Sequence, residues 1–314
     1  MKQIRVICAL AVLLGLCVFP AAAAGKDGVK PSFSLVIKEG WGSIGVGHMN
    51  NMLNQREAFL QALNDRNSGT SSGSIRALDK SYSDAEAELR MNLGRLSLGL
   101  ALTAPARISG PSDKTISWTD AEETTTMREI WAPEIRTDRP VQLTLYYSQP
   151  IVSRVRAVAG AGIGYYRAEM KMRRAWEYIY SPYSALSGDY RFDVRGHCFG
   201  PHIGLGLECA VMKSVSVILE GQWRSVRIKR LSGTSTMIAN QFGSSGYAET
   251  HVDTYEGDLI YYFRVAEGDT LVQAIMCLEP EYMQNGWDSY SDPYKAGLDL
   301  SGFSFKIGLK INLF

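Results

Sequence analysis

Four histidines are the residues of this chain best suited to proton transfer or metal binding: His48, His197, His202 and His251. His197 precedes Cys198 and lies five residues before His202, while His251 lies two residues before Asp253. Neither spacing matches an established metal-ligand pattern. A barrel hydrolase would need a nucleophile beside a base, and no motif links a serine to any of these histidines. We therefore predict no catalytic residue, no metal site and no cofactor.

Charged side chains at alternating positions within apolar segments form a second candidate set. The set consists of Glu86, Glu88, Arg90, Arg154, Arg156, Glu208, Glu220, Arg224, Lys306 and Lys310. If these side chains share a narrow interior, opposite charges must pair there, because isolated buried ions are costly. We interpret the set as a structural ion-pair plug, with a permeation path or a proton relay as the alternative.

The segments that carry these charges alternate with a period of two residues, which predicts β-strands. In residues 96–103, for example, leucines alternate with Ser, Gly, Ala and Thr. Eight strands are predicted, at residues 33–48, 83–93, 95–107, 139–149, 153–170, 190–211, 214–229 and 299–314.

The predicted connections alternate between short and long. Tight turns are expected at 93–95, 149–151 and 212–214, and long loops at 49–82, 108–138, 171–189 and 230–298. This rhythm is typical of outer-membrane barrels, whose short turns lie on the periplasmic rim, and an even strand count places both termini there. Within the long loops, residues 50–66 predict a short helix, which either caps the barrel mouth or lies on the membrane surface. Residues 257–277 predict a hairpin that extends above the membrane.

The first 24 residues have the form of a secretory signal peptide. A basic start is followed by an apolar run from Val6 and by four alanines that end at Ala24. We expect cleavage after Ala24, which leaves residues 25–314 as one domain with three cysteines, Cys198, Cys209 and Cys277. Without Lys2 and Arg5 the formal charge changes from +1 to about −1, which gives no electrostatic basis for binding nucleic acid.

Alternation alone does not say which face of each strand points outward. Three features favour apolar faces turned toward lipid: the export signal, the small residues on the polar faces, and aromatic residues near strand ends, such as Trp41, Tyr147, Tyr165 and Trp223. The opposite orientation would give a soluble, lipocalin-like carrier. We therefore predict an all-β fold: an eight-stranded antiparallel transmembrane β-barrel with long extracellular loops, one short loop helix and a loop hairpin.

With these features the chain resembles the small bacterial outer-membrane β-barrel proteins of the OmpW-like and OmpA-membrane-domain kind. The resemblance rests on the signal peptide, the eight strands, the connection rhythm and the last strand, SGFSFKIGLKINLF. It implies residence in the outer membrane, contact with its lipid, and insertion by the assembly machinery, which reads that strand as a signal: Phe303, Phe305, Ile307, Leu309, Ile311, Leu313 and Phe314. One departure is that Leu313, not Phe314, lies in phase with the apolar face.

Three functions are consistent with these features of the sequence. The first is a non-enzymatic outer-membrane barrel that is structural or conveys a small apolar ligand. The second is a surface recognition or adhesion protein that acts through its long loops, above all residues 230–298. The third is a lipid-modifying barrel enzyme with His197, His202 or His251 as its base.

Overall fold

The computed structural model describes residues 31–120, 123–181, 184–242, 248–265, 271–278 and 290–313. The predicted signal peptide and Phe314 lie outside these ranges. The described chain is almost entirely β-structure, with one helix, α1 (Gly47–Arg66). In the ranges given above, no helix combines the length and apolar character needed to cross a membrane.

The strands follow the alternation of the sequence. In chain order they are β1 (Ser32–Ser43), β2 (Thr70–Ser74), β3 (Ser81–Leu93), β4 (Leu96–Thr103), β5 (Arg107–Ser109), β6 (Ser112–Asp120), β7 (Glu123–Thr137), β8 (Val141–Val152), β9 (Val155–Ser181), β10 (Ser184–Ala210), β11 (Val215–Arg224), β12 (Arg227–Ile228), β13 (Ser232–Phe242), β14 (Ala248–Val265), β15 (Leu271–Leu278), β16 (Tyr290–Lys295), β17 (Leu298–Asp299) and β18 (Gly302–Asn312).

Eight of these strands pair in a circuit that returns to its start. Antiparallel hydrogen bonds join β1 to β3, β3 to β4, β4 to β8, and β8 to the first half of β9. The circuit continues from β9 through β10 and β11 to β18, and β18 pairs with β1. We call this set of eight the strand ring. Its two end strands meet in register, with Ile37 opposite Leu309.

Above the strand ring, β9 and β10 continue together but change their outer neighbours. Over residues 168–179, β9 pairs with β7 instead of β8, and over residues 185–195, β10 pairs with β13 instead of β11. The further pairings give the order β2-β6-β7-β9-β10-β13-β14-β15, which we call the upper sheet. The long hairpin of β9 and β10 thus belongs to both the strand ring and the upper sheet, and it joins them through continuous backbone hydrogen bonds.

Helix α1 lies between the two ends of the upper sheet. It contacts β2 and β6 at one end and β15 at the other. Its buried residues Met49, Met52, Leu53, Arg56 and Leu60 recur at the three- and four-residue spacing of a helix face. The Asn50 side chain holds the helix to the following segment, since its amide donates to the Leu78 carbonyl and its oxygen accepts from the Leu78 amide.

The predicted all-β class, the helix and the backbone pairing of the 257–277 hairpin are confirmed. Several of the predicted connections were wrong, and the loop predicted at 230–298 also contains β13. Residues 171–189 are not a long loop, because β9 and β10 extend through them to Ser181 and from Ser184. Residues 108–138 likewise contain β6 and β7 in place of a loop. The turn predicted at 149–151 lies at 153–154, because β8 continues to Val152.

Candidate functional site

The interior of the strand ring is filled with paired charges, and Lys38 lies at their centre. Its Nζ atom is 2.9 Å from carboxylate oxygens of Glu86, Glu88 and Glu220, which come from two other strands. All four side chains are almost completely buried. Three carboxylates around one ammonium need further cations. Lys306 supplies one to Glu86, and Arg90 supplies one to Glu88, with Nη2 at 2.9 Å from Oε2.

An aromatic ring and a further ion pair extend this network toward the rim of the strand ring that carries the short turns, which we call the short-turn rim. The Arg90 guanidinium lies over the Tyr146 ring, 3.8 Å from its centroid, in cation–π geometry. Lys310 donates to both oxygens of Glu208, at 3.0 and 3.2 Å. Removing ions from water is costly unless geometry and hydrogen bonds compensate, so this network specifies how the interior packs more than it adds net stability.

Small residues on the inner face make room for these large side chains. A Cβ atom on Gly99 would lie 1.9 Å from Oε1 of Glu88, and one on Gly162 would lie 2.7 Å from Nε2 of His202. An eight-stranded interior is only wide enough for its own side chains, so each large group requires a small residue opposite. The glycines of the inner faces are thus explained by packing.

The structure places eight of the ten predicted network residues in the buried interior: Glu86, Glu88, Arg90, Glu208, Glu220, Arg224, Lys306 and Lys310. It does not place Arg154 and Arg156 there. Arg154 lies in the 153–154 turn, and Arg156 is exposed at the rim of the strand ring. The sequence reasoning also missed Lys38. The signal was available, because Lys38 alternates with the outward Leu35 and Ile37 and so belongs to the inner face of β1.

The outer surface of the strand ring is apolar. Large hydrophobic side chains on it are roughly half exposed, including those of Ile37, Leu89, Leu145, Ile163, Leu205, Phe303, Phe305, Ile307, Leu309, Ile311 and Leu313. A contiguous apolar patch of this extent is unusual on a soluble monomer. We call this surface the apolar band. Six of the seven residues predicted as the C-terminal assembly signal lie on it, and the seventh, Phe314, is outside the described residues.

The apolar band ends at a row of aromatic side chains. Trp223 pairs with Phe303, and Tyr165 pairs with Phe199 at a ring-centroid distance of 5.2 Å. Beyond this row the outer face of β9 and β10 becomes charged. Arg195 binds Glu169, and the same face carries Lys171, Asp193, Arg173, Asp189 and Arg191, which form further exposed ion pairs.

The inner face of the same two strands changes in the opposite sense. In the strand ring it carries Gly160, Gly162, His202 and Glu208, whereas in the upper sheet it carries buried apolar residues. Those apolar residues are Ala168, Met170, Met172, Tyr190, Phe192 and Val194. They form one core with α1. The polar face therefore points inward in the strand ring and outward in the upper sheet, without a break in the alternation.

One buried carboxylate connects α1 to the upper sheet. Glu129 of β7 accepts hydrogen bonds from Arg56 of α1, from Arg174 at 2.7 Å and from the Trp131 indole at 2.9 Å. The Tyr178 hydroxyl donates to it at 3.3 Å. Burial alone would raise the pKa of the Glu129 carboxyl, but Arg174 and Arg56 outweigh it and hold that pKa well below the ordinary range. The group is a fixed anion.

The histidines do not form a site with one another. His202 is buried in the strand ring and bonds to the Thr144 hydroxyl at 2.8 Å, whereas His197 is exposed beside Tyr165. His251 lies on β14 with Glu249 as its neighbour at 2.7 Å. Across the described residues, no cluster of three or more His, Cys, Asp or Glu side chains is arranged to hold a metal. Cys198 and Cys209 are free thiols, and the side chain of Cys277 lies outside the described residues.

Comparison with known proteins does not identify a family for this chain. No family model and no curated protein matches the chain. Among solved structures, it is similar to a FadL homologue of Pseudomonas aeruginosa, with 4% identity over 90% of this chain and 91% of that one, at a TM-score of 0.18. It is also similar to the toluene transporter TbuX of Ralstonia pickettii, with 9% identity over 91% and 90% of the two chains, at a TM-score of 0.16. At these TM-scores neither likeness carries an argument about fold or function.

Proposed function

We propose that the strand ring is an eight-stranded transmembrane β-barrel of the bacterial outer membrane, and that it is a closed, non-enzymatic anchor for the upper sheet. The apolar band is the observation that carries this proposal. It surrounds an interior of paired charges, which is the reverse of a soluble barrel. Lipid is the solvent that suits such an outer surface, and a closed ring of strands leaves no backbone group unpaired within it.

The paired charges favour an anchor over a channel. Lys38, Tyr146 and Arg90 fill the middle of the interior: carboxylates of β3 and β11 hold Lys38, and the Arg90 guanidinium lies over the Tyr146 ring. Immediately above them Tyr82, Tyr166 and Arg224 surround a cavity of only about 10 Å³, and the core of the upper sheet follows. A small apolar ligand that passed through would have to displace this network. Conveyance through the interior is therefore the weaker form of the proposal.

The upper sheet is the part of the protein that the anchor would hold at the cell surface. From Arg167 to Ser181, β9 continues for roughly 50 Å at the usual rise per residue of a strand. The short turns and both ends of the strand ring lie at the opposite rim, which in outer-membrane barrels faces the periplasm. We therefore place the upper sheet outside the cell, where its charged outer face meets water or a surface partner. Outer-membrane lipid and the assembly machinery are the partners this placement implies.

A fractionation and surface-digestion experiment tests the proposal. The mature chain should remain with outer membranes after a high-salt wash and should run faster on gels without heating than with it. Trypsin added to intact cells should cut the upper sheet and leave the strand ring protected. Recovery of the protein as a detergent-free monomer in the periplasm would contradict membrane insertion.

Conductance separates the anchor from a channel. In planar bilayers the wild-type protein should hold the baseline current, and cells that express it should take up apolar compounds no faster than cells that lack it. A variant with Lys38→Ser and Tyr146→Ser removes two of the three large groups that fill the middle of the interior and should conduct if it inserts. Open-channel currents from the wild-type protein would refute the sealed interior.

A further inference from the structure

A cavity of about 590 Å³ opens at the short-turn rim of the strand ring. This volume is within the range of sites that bind small molecules. Its walls come from the turn that follows β3, the 153–154 turn, the segment between β10 and β11, and the ends of β1 and β18. The buried network closes its inner end, where Arg90, Tyr146 and Lys310 form the floor. It is a vestibule with one opening, and we call it the rim cavity.

The charge of the rim cavity is strongly positive. Five cationic side chains and a single carboxylate, Glu208, line it. Two of the cations, Arg90 and Lys310, have carboxylate partners of their own. The other three, Arg154, Arg156 and Lys213, make no ion pair with any residue that the structure describes. Three such positive charges that line one cavity favour binding of an anion there.

Hydroxyl donors complete the lining. Six serines contribute to it: Ser32, Ser97, Ser148, Ser153, Ser214 and Ser216. Of these, Ser153, Ser214 and Ser216 make no side-chain hydrogen bond within the described part of the chain. Guanidinium groups and hydroxyls in one concave site form the donor set that binds oxyanions, because guanidinium presents paired N–H groups to two oxygens at once.

We propose that the rim cavity binds a phosphate-type oxyanion, with Arg154 and Arg156 as its main ligands. Arg156 lies on β9 directly opposite Glu208 of β10, and Lys310 occupies that carboxylate. The Arg156 guanidinium is therefore left for a ligand. This site goes beyond the anchor role, although its opening toward the periplasm rests on the proposed orientation. The phosphate belongs either to a free anion or to the headgroup of an inner-leaflet lipid.

Titration of the refolded protein in a neutral detergent with inorganic phosphate, and then with pyrophosphate, tests the site. The double variant Arg154→Gln/Arg156→Gln should weaken binding by about tenfold or more, because both bidentate donors are lost. The matched control is Arg95→Gln. Arg95 lies at the same rim but bonds to Gln149 outside the cavity, so affinity should change less than about twofold. Replacing both ligands with lysine should restore part of the affinity, and added sodium chloride should weaken it.

Vesicles then distinguish the two sources of phosphate. If an inner-leaflet headgroup fills the cavity, phosphatidylglycerol added to phosphatidylcholine vesicles should lower the wild-type affinity for inorganic phosphate and leave that of the double variant unchanged. If the ligand is a free anion, the wild-type affinity should be the same in both vesicles. If protein that shows the heat-dependent gel shift does not bind phosphate, the phosphate site is overturned and the anchor proposal stands. Equal phosphate affinity of the wild type and the double variant would have the same consequence. Failure to insert would instead overturn the anchor proposal.

Discussion

At the scale of single residues, Lys38 shows how the interior is held together. It is one of the largest fully buried side chains described, and three glutamates depend on its charge. The buried set is balanced as a whole. Asp84, Glu86, Glu88, Glu208 and Glu220 share the interior with Lys38, Arg90, Arg224, Lys306 and Lys310. Removal of Lys38 therefore leaves carboxylates without compensation in the buried interior.

The substitution Lys38→Met keeps most of the side-chain volume and removes the charge. We expect it to lower the free energy of unfolding by about 3–5 kcal/mol, the usual consequence of leaving buried charges unpaired. Urea titration in lipid vesicles, followed by tryptophan fluorescence, measures the change. Lys80→Met is the control, because Lys80 is exposed. The prediction fails if the two variants lose the same small amount.

At the scale of elements, the long hairpin of β9 and β10 crosses a boundary between two solvents. Its outer face is apolar up to Tyr165 and Phe199 and charged from Arg167 and Arg195 onward. Its inner face changes in the reverse sense at the same level. Both faces change at one level, as expected if the lipid layer ends there. The outer face then meets lipid below this level and water above it.

The boundary predicts different outcomes for one substitution at two positions of the β9–β10 hairpin. Leu205→Arg, in the middle of the apolar band on β10, should cost about 2–4 kcal/mol, the range for a charge on the lipid face near the membrane centre. Ile179→Arg, on the same outer face but on β9 in the upper sheet, should change stability by no more than about 0.5 kcal/mol. Both side chains are exposed, at 72% and 37%. Equal costs would show that no lipid boundary lies between them.

Helix α1 depends on Glu129 for its attachment to the upper sheet. Glu129→Gln should lower the free energy of unfolding of the upper sheet by about 3–5 kcal/mol, because Arg56 and Arg174 lose their shared anion. Limited proteolysis of α1 reports the change. Glu134→Gln is the control, since the Glu134 pair with Arg107 is largely exposed and worth less than about 1 kcal/mol. Equal protease sensitivity of the two variants would contradict the prediction.

The pH dependence of this attachment follows from the same carboxylate. The pKa of Glu129 is lower in the folded protein than in the unfolded chain. Its contribution is therefore complete at neutral pH, and it is lost only as the pH falls from the ordinary carboxyl range toward the lower folded value. The wild-type upper sheet should become protease-sensitive in acid, whereas Glu129→Gln should lack this component.

At the scale of the whole molecule, closure depends on pairing between the first and the last strand. Cysteines at Ile37 and Leu309 should cross-link in a background where Cys198, Cys209 and Cys277 are serine, because these positions are directly opposite on β1 and β18. Cysteines at Ile37 and Phe303 should not, since they are six residues out of register. The gel mobility of oxidised and reduced protein gives the result. Cross-linking of the second pair alone would disprove the observed closure.

Much of this architecture could be predicted from local pattern. A period of two identifies a strand wherever one face differs from the other, so the eight strands of the ring, the apolar faces of β18 and eight of the buried charges were accessible from sequence. The extension of β9 and β10 was not, because the polar and apolar faces exchange at residue 167. An exchange of faces weakens the contrast on which strand prediction depends.

The sequence by itself determined the alternation, the charges placed within it and helix α1, since each depends on residues close together in the chain. Only the tertiary structure decided which charges meet, that Lys38 is central, that Arg154 and Arg156 line a cavity at the rim, and that α1 lies between the ends of the upper sheet. These features depend on strand register between distant segments. A shift of one residue would turn every side chain to the other face, and no local pattern states which segments pair.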